Sequence, residues 1–161
     1  MKTVTYEEFL KFEPCWLEDE EKRKQLERYG KRKKNWTALD ILNLPENEVS
    51  AEHKLWAVLR EDFIDAPILH EFACQCREKA LSLIENPNPK SVAAITAKRA
   101  WLKGEISDEE LADARADARA ALAAWAALAA WDATGAAWDA ARDAARKDQM
   151  KMLVELLNGT E

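Results

Sequence analysis

His70 and Cys74 stand four residues apart, about one helical turn, with Glu71 beside them and Cys76 two positions further on. That spacing can supply two metal ligands, or a thiol with a nearby base. A working site also needs a third ligand or an orienting group, and the only other histidine, His53, falls on a different expected helix. Cysteine is also among the most buried residue types, a small apolar side chain. Glu61, Asp62, Asp65 and Glu71 form a possible acidic patch. Paired carboxylates do acid–base work only when something shifts one pKa, so these read as helix-end charge. There is no Gly-rich phosphate loop, no G-x-S-x-G and no H-E-x-x-H, and four glycines leave few turns to present catalytic groups. The expectation is a protein that is not an enzyme, with no metal site and no cofactor.

A second set of residues has the chemistry of recognition. Ala112–Arg115 (ADAR) repeats as Ala116–Arg119, so Asp113 and Asp117 share one helix face while Arg115 and Arg119 lie roughly opposite. Like charges four apart repel slightly, so each row is expected to meet opposite charge, from a neighbouring helix or from a partner. Trp125, Trp131 and Trp138 follow, the last two a heptad apart and nearly on one face. Trp and Arg are enriched at interface hot spots, and they also suit a flat anionic ligand through stacking and bidentate hydrogen bonds. The candidate binding residues are therefore Arg115, Arg119, Trp125, Trp131, Trp138, Asp113 and Asp117.

The element that must position them is the alanine-rich stretch. From Ala112 to Ala145, 19 of 34 residues are alanine, the best helix former. Between Ala120 and Trp131 no side chain is charged or polar, and Leu122, Trp125, Leu128 and Trp131 recur every third position. Steps of three sweep around the cylinder, so this helix needs cover on all sides, from its own domain or from a partner. The apolar stretch spans about 18 Å, short of the ~20 residues that cross a bilayer. One helix from Asp108 to Leu157 would be about 75 Å long, too long for a small domain to cover. Thr134-Gly135 is the natural break, which predicts two helices, near 108–133 and 136–157, packed as a hairpin. Asp139–Arg142 and Asp143–Arg146 are expected i,i+3 pairs, with Met150, Leu153, Leu156 and Leu157 on the apolar side.

The remainder reads as shorter helices with clear start signals. Thr5 with Glu8 is a capping box for a helix to about Lys11, stopped by Pro14. A helix from about Leu17 to Tyr29 follows, with Gly30 as its stop and the basic run Lys31–Lys34 as a solvated loop. Thr37 caps a helix to Leu42, and Ser50 caps the next, whose inward face takes Leu55, Val58 and Leu59. Asp65 ahead of Pro67 opens a helix to about Ile84, burying Ile68, Phe72, Leu81 and Ile84. Glu85–Lys90 (ENPNPK) is the clearest break. Ser91–Leu102 is helical, with Val92, Ile95 and Leu102 inward and Lys98 and Arg99 more exposed. Gly104 ends it, and Ser107 with Glu110 caps the alanine-rich helix. No strand is expected. The fold class is all-α, a single helical domain over 1–161, with short helices in 1–65 and the alanine-rich core in 66–161.

The totals exclude some functions. A net charge of −6 argues against a general nucleic-acid binder, which needs a basic face. It suits a basic partner or a cationic ligand, or simply solubility. Cys15, Cys74 and Cys76 are odd in number and form no disulfide framework. Met1–Leu10 has no signal-peptide pattern and no membrane span is expected, so the expected compartment is the cytoplasm.

FACQCREKAL (Phe72–Leu81), then Asn86–Pro89, then AAITAKRAWLKGE (Ala93–Glu105), then a helix of Ala, Arg, Trp and Asp make a recognisable order. It resembles the alanine-rich immunity proteins of bacterial polymorphic toxin systems, relatives of which also occur on phages and mobile elements. The resemblance covers about Ile68 to Leu157. It implies a cytoplasmic inhibitor that neutralises a toxin or effector by stoichiometric protein–protein binding. An alternative from another class is a counter-defence protein that sequesters a nucleotide-like signal, a small anionic ligand, in a pocket drawing on Trp125, Trp131, Arg115 and Arg119. A small enzyme using His70 and Cys74 would instead need both in an accessible cleft. A homodimer through the long helix would occupy the same surface.

Overall fold

A computed structural model describes residues 2–129 and 135–159, with the side chains at 15, 16 and 121–141 outside that description. The chain is all-α, with eight α-helices among the described residues. It divides into two compact units, Met1–Ala66 and Pro67–Glu161. No helix among the described residues is long and apolar enough to cross a membrane.

In the first unit, β1 (Val4–Thr5) pairs antiparallel with β2 (Asn35–Trp36), Val4 opposite Trp36 and Thr5 opposite Asn35. Two-residue strands carry too little alternation to announce themselves in sequence. Between them run α1 (Tyr6–Leu10), a 3-10 turn (Cys15–Glu18) and α2 (Glu20–Arg32), and after β2 come α3 (Ala38–Leu42) and α4 (Ala51–Val58). The Thr5–Glu8 capping box and the Thr37 cap form as expected, Thr37 in a box completed by Asp40, and the Ser50 hydroxyl accepts from the His53 N–H. The start of α2 is set by Asp19, whose carboxylate accepts from the Glu21 and Lys22 N–H groups.

Two expectations about particular residues fail in this unit. Gly30 does not stop α2, which runs on to Arg32. A Cβ there would lie 2.6 Å from Tyr6 Cγ, so the glycine serves close packing of helix against ring. Leu59 is 40% exposed, because α4 ends at Val58 and the chain turns away. Lys54 is the opposite case, 1% exposed in the core beside Leu55 and Val58. Its ammonium donates to the Leu44 carbonyl, which is how a buried cation keeps a partner.

The second unit comprises α5 (Ala66–Ser82), α6 (Pro89–Leu102), α7 (Asp108–Ala129) and α8 (Gly135–Asn158). Asn88 caps α6 with Pro89 in its first turn, and Gly104, at φ +73°, takes the left-handed conformation that ends the connection cheaply. The Ser107–Glu110 capping box opens α7, and Trp101 Nε1 donates to Asp108 Oδ1 across the turn at 2.6 Å. Lys90, at the start of α6, reaches Asp117 in the middle of α7 at 3.4 Å, so the two helices run antiparallel.

Helix α5 is pinned to α6 by one side chain. Glu71 and Glu78, two turns apart, present carboxylates to Arg99 from the same stripe of α5. Arg99 donates to Glu71 through Nε at 3.0 Å and Nη2 at 2.8 Å, and to Glu78 through Nη1 and through Nη2 at 2.9 Å.

Val92 and Ile84 are 44% and 39% exposed, against expectation. The inward stripe of α6 passes through Ala94, Ile95 and Lys98, and Val92 stands about 100° around the helix from its centre, while Ile84 lies beyond the end of α5. Phe72, Ile95, Leu153 and Leu157 are buried as expected. Asp143 and Arg146 pair at 3.5 Å. Residues 130–134, with the expected turn at Thr134, lie outside the described residues, as does the side chain of Asp139.

Candidate functional site: a cationic cleft

Three helices of the second unit enclose a cleft of about 290 Å³. From α5 come His70, Ala73, Cys74 and Arg77, from α6 Ala94, Ile95 and Lys98, and from α7 Arg115, Ala118 and Arg119. The contributions follow helical spacing, i, i+3, i+4, i+7 in α5, i, i+1, i+4 in α6 and i, i+3, i+4 in α7, so one face of each helix looks into the same space. Cys74, Ala94, Ile95 and Ala118 are buried at 3–5% exposure and form an apolar floor. Alanines at Ala94 and Ala118 leave the floor shallow and the space above it open.

The walls are positive. Arg77, Arg115 and Arg119 are exposed and Lys98 is half-buried, while no lining side chain is acidic. None of the four cations has a carboxylate within salt-bridge distance among the described residues, although Lys90 and Arg99 nearby do. Lys98 instead lies over the Trp101 ring, its ammonium 3.7 Å from the centroid. Burial, and then the field of Arg115, pull the Lys98 ammonium below the usual lysine range. His70 meets the edge of the same Trp101 ring at 5.8 Å.

Of the residues expected to bind, Arg115 and Arg119 come together in this cleft. Their expected opposite charge does not: among the described residues they face other cations, Lys98 and Arg77. Asp117 does find a neighbour, Lys90, and Asp113 is exposed on the outer side of α7. Trp125 lies in α7 and Trp138 in α8, but their side chains, and all of Trp131, are outside the described residues.

Arg77 and Lys98 were not anticipated. The one available signal was positional, since Arg77 stands at i+7 from His70 and Lys98 at i+4 from Ala94, charged residues on stripes otherwise apolar or small.

His70 and Cys74 both line the cleft, so their four-residue spacing does place them on one accessible face. Burial pushes the Cys74 thiol up, with Arg99 acting against it, which suits a thiol that packs and not one that attacks. Burial likewise raises the Cys76 thiol. Glu71 is engaged by Arg99, which holds its carboxyl below the usual range, and Asp65 pairs with Lys2 at 2.9 Å. Among the described residues no group of three His, Cys, Asp or Glu side chains is arranged to hold a metal ion.

Guanidinium forks above a small apolar floor can grip phosphate or carboxylate oxygens in bidentate fashion while the floor takes an uncharged portion. The volume sits at the low end of small-molecule sites, which run from about 300 Å³ upward. Comparison of the chain with protein-family models, curated proteins and solved structures found no match.

Proposed function

We propose that this chain works by binding, without turnover, and that the cleft of its second unit sequesters a phosphate-bearing ligand of about mononucleotide size. The observation that carries this is the set of four cations with no carboxylate within salt-bridge distance among the described residues, in a protein whose net charge is −6. Like charges gathered in one cleft repel one another, and a bound polyanion removes that cost and forms charge-assisted hydrogen bonds. We place the activity in the cytoplasm, where the free Cys74 and Cys76 stay reduced.

The test is calorimetric titration of the full chain with AMP, ADP, ATP and pyrophosphate at low salt. At least one should bind saturably, more weakly as salt rises. Arg115→Ala/Arg119→Ala should weaken it about a hundredfold, at ~1.5–3 kcal/mol for each charge-assisted hydrogen bond lost. The unliganded double variant should melt at or slightly above the parent temperature, because two repelling charges are gone. Four flat titrations would sink the proposal.

A second reading has one observation in its favour. Asp113 lies exposed on the outer side of α7 with no cation on it among the described residues, a feature that suits a basic protein partner such as the toxin of an immunity pair. Native mass spectrometry of the protein drawn gently from its host separates the two. A stoichiometric basic protein, lost with Asp113→Lys, supports the inhibitor, and an increment of a few hundred daltons supports sequestration.

A further inference from the structure

We infer a separate site in the first unit, a pocket that accepts one neutral aromatic ring. A cavity of about 130 Å³ lies between α1, α2, β2, α3 and α4. Its walls include Phe9, Tyr29, Trp36 and Phe63, with Ile41 and Ala57. The walls are well fixed: Phe63 is 1% exposed and Ala57 3%.

Protein cores pack at crystal density, and voids larger than a water are few. A pocket of this volume, open at its rim and lined by five aromatic rings, Tyr6 being the fifth, is space that the surrounding core leaves unfilled. Water gains little along most of it, because a held water needs two to four polar partners and the lining is mostly hydrocarbon, with Lys22, Gln25, Glu48 and His53 as its polar exceptions. An apolar cavity of about 150 Å³ is enough to hold benzene. Rings at the wall also offer the edge-to-face contacts that a ring-shaped guest prefers.

The rim decides the charge of the guest. Tyr29 Oη donates to the Glu48 carboxylate, and Gln25 Nε2 donates to the Glu48 carbonyl at 3.1 Å. These two bonds latch the loop carrying Glu48 and Val49 onto α2, beside the pocket opening. The lining carries one charge of each sign, Glu48 and Lys22, with a neutral imidazole at His53, so it offers no net charge to a ligand. The guest is therefore a neutral ring, unlike the polyanion proposed for the second unit, and neither inference depends on the other.

The experiment uses the full chain with benzene as probe and benzoate as charged control, followed by NMR chemical shifts and thermal melting. Benzene should saturate one site and raise the melting temperature, with benzoate at least tenfold weaker. Ala57→Leu fills the cavity from its buried wall, and Val49→Phe fills it from the half-exposed rim, where a larger side chain is better tolerated. Either variant should abolish benzene binding and leave any anion titration of the second unit unchanged. If Ala57→Leu fails to fold, Val49→Phe decides alone. No saturable benzene binding, binding that survives the filling variants, or benzoate binding as tightly as benzene would each overturn the inference.

Discussion

In the first unit a hollow remains where rings and aliphatic chains meet without filling the space between them. In the second, a cleft remains because alanines stop short of it and long cations stand around its edge. The two hollows differ in what keeps them open. The ring-walled pocket has a rim whose polar groups satisfy one another, Tyr29 and Gln25 both closing on Glu48. The alanine-floored cleft has a rim that repels itself, and the helices beneath it are held by a clamp one stripe away, Arg99 on Glu71 and Glu78. An apolar hollow can thus be stable on its own account. A cationic one needs compensation elsewhere in its unit, and here the compensation is visible.

Removing that clamp should have the largest effect. Arg99→Ala breaks two forked contacts and leaves the half-buried Glu71 and the exposed Glu78 without their shared cation. At ~1.5–3 kcal/mol for hydrogen bonds to charged groups, a loss of about 3 kcal/mol is expected. Hydrogen exchange should show the loosening in α5 and α6 while the amides of α2 and α4 keep their protection. Equal loosening in both units would erase the distinction drawn between them.

Gly30→Ala tests the first unit in the same way. Alanine gains about 1 kcal/mol of helix propensity over glycine. Against that, the new methyl would sit 2.6 Å from Tyr6 Cγ, and overpacking costs about 1–3 kcal/mol. The net expectation is destabilisation by up to about 2 kcal/mol in a denaturant melt. A stabilised variant would mean that the ring has room to move.

The smallest effect is a difference in pH response. Burial, and then the bond to Glu48, push the Tyr29 phenol up to about 12. Its folded pKa lies above the ordinary value of 10, so its contribution is complete below pH 10 and is lost as pH rises through about 12. Glu71 runs the other way. Arg99 holds its carboxyl below 4.5, so its contribution is complete above that pH and is lost as pH falls through the lowered value. Alkali should therefore act on the first unit through Tyr29, while acid acts on the second through Glu71 and on the first through Glu8 and Asp40. Tyr29→Phe should cost about 1 kcal/mol near neutrality and flatten the alkaline limb followed by melting temperature.

Much of the helical frame was legible in sequence, because its signals act over four residues or fewer. Thr5 with Glu8, Thr37, Asn88 before Pro89 and Ser107 with Glu110 each announce a helix start, and each forms as its residue types require. Gly30 misled for an instructive reason. A glycine can end a helix or admit a neighbour, and only Tyr6, far away in sequence, tells which. Val92 misled because one residue of helical phase separates a buried position from an exposed one.

The cleft was half legible. Arg115 and Arg119 were readable from the repeated ADAR unit, whereas Arg77 and Lys98 looked like ordinary surface charge. Lys98 and Arg99 are sequence neighbours of similar type, yet Arg99 is engaged by two carboxylates and Lys98 faces the cleft. A step of about 100° around the helix makes that difference, and its meaning depends on what α5 and α7 bring to each side.

By itself, the sequence determined an all-α chain, where most of its helices begin, and an acidic surface, because capping, propensity and net charge are local or additive. Only the tertiary structure decided which cations are neutralised and which are left facing one another, because pairing depends on three helices converging from positions up to about fifty residues apart.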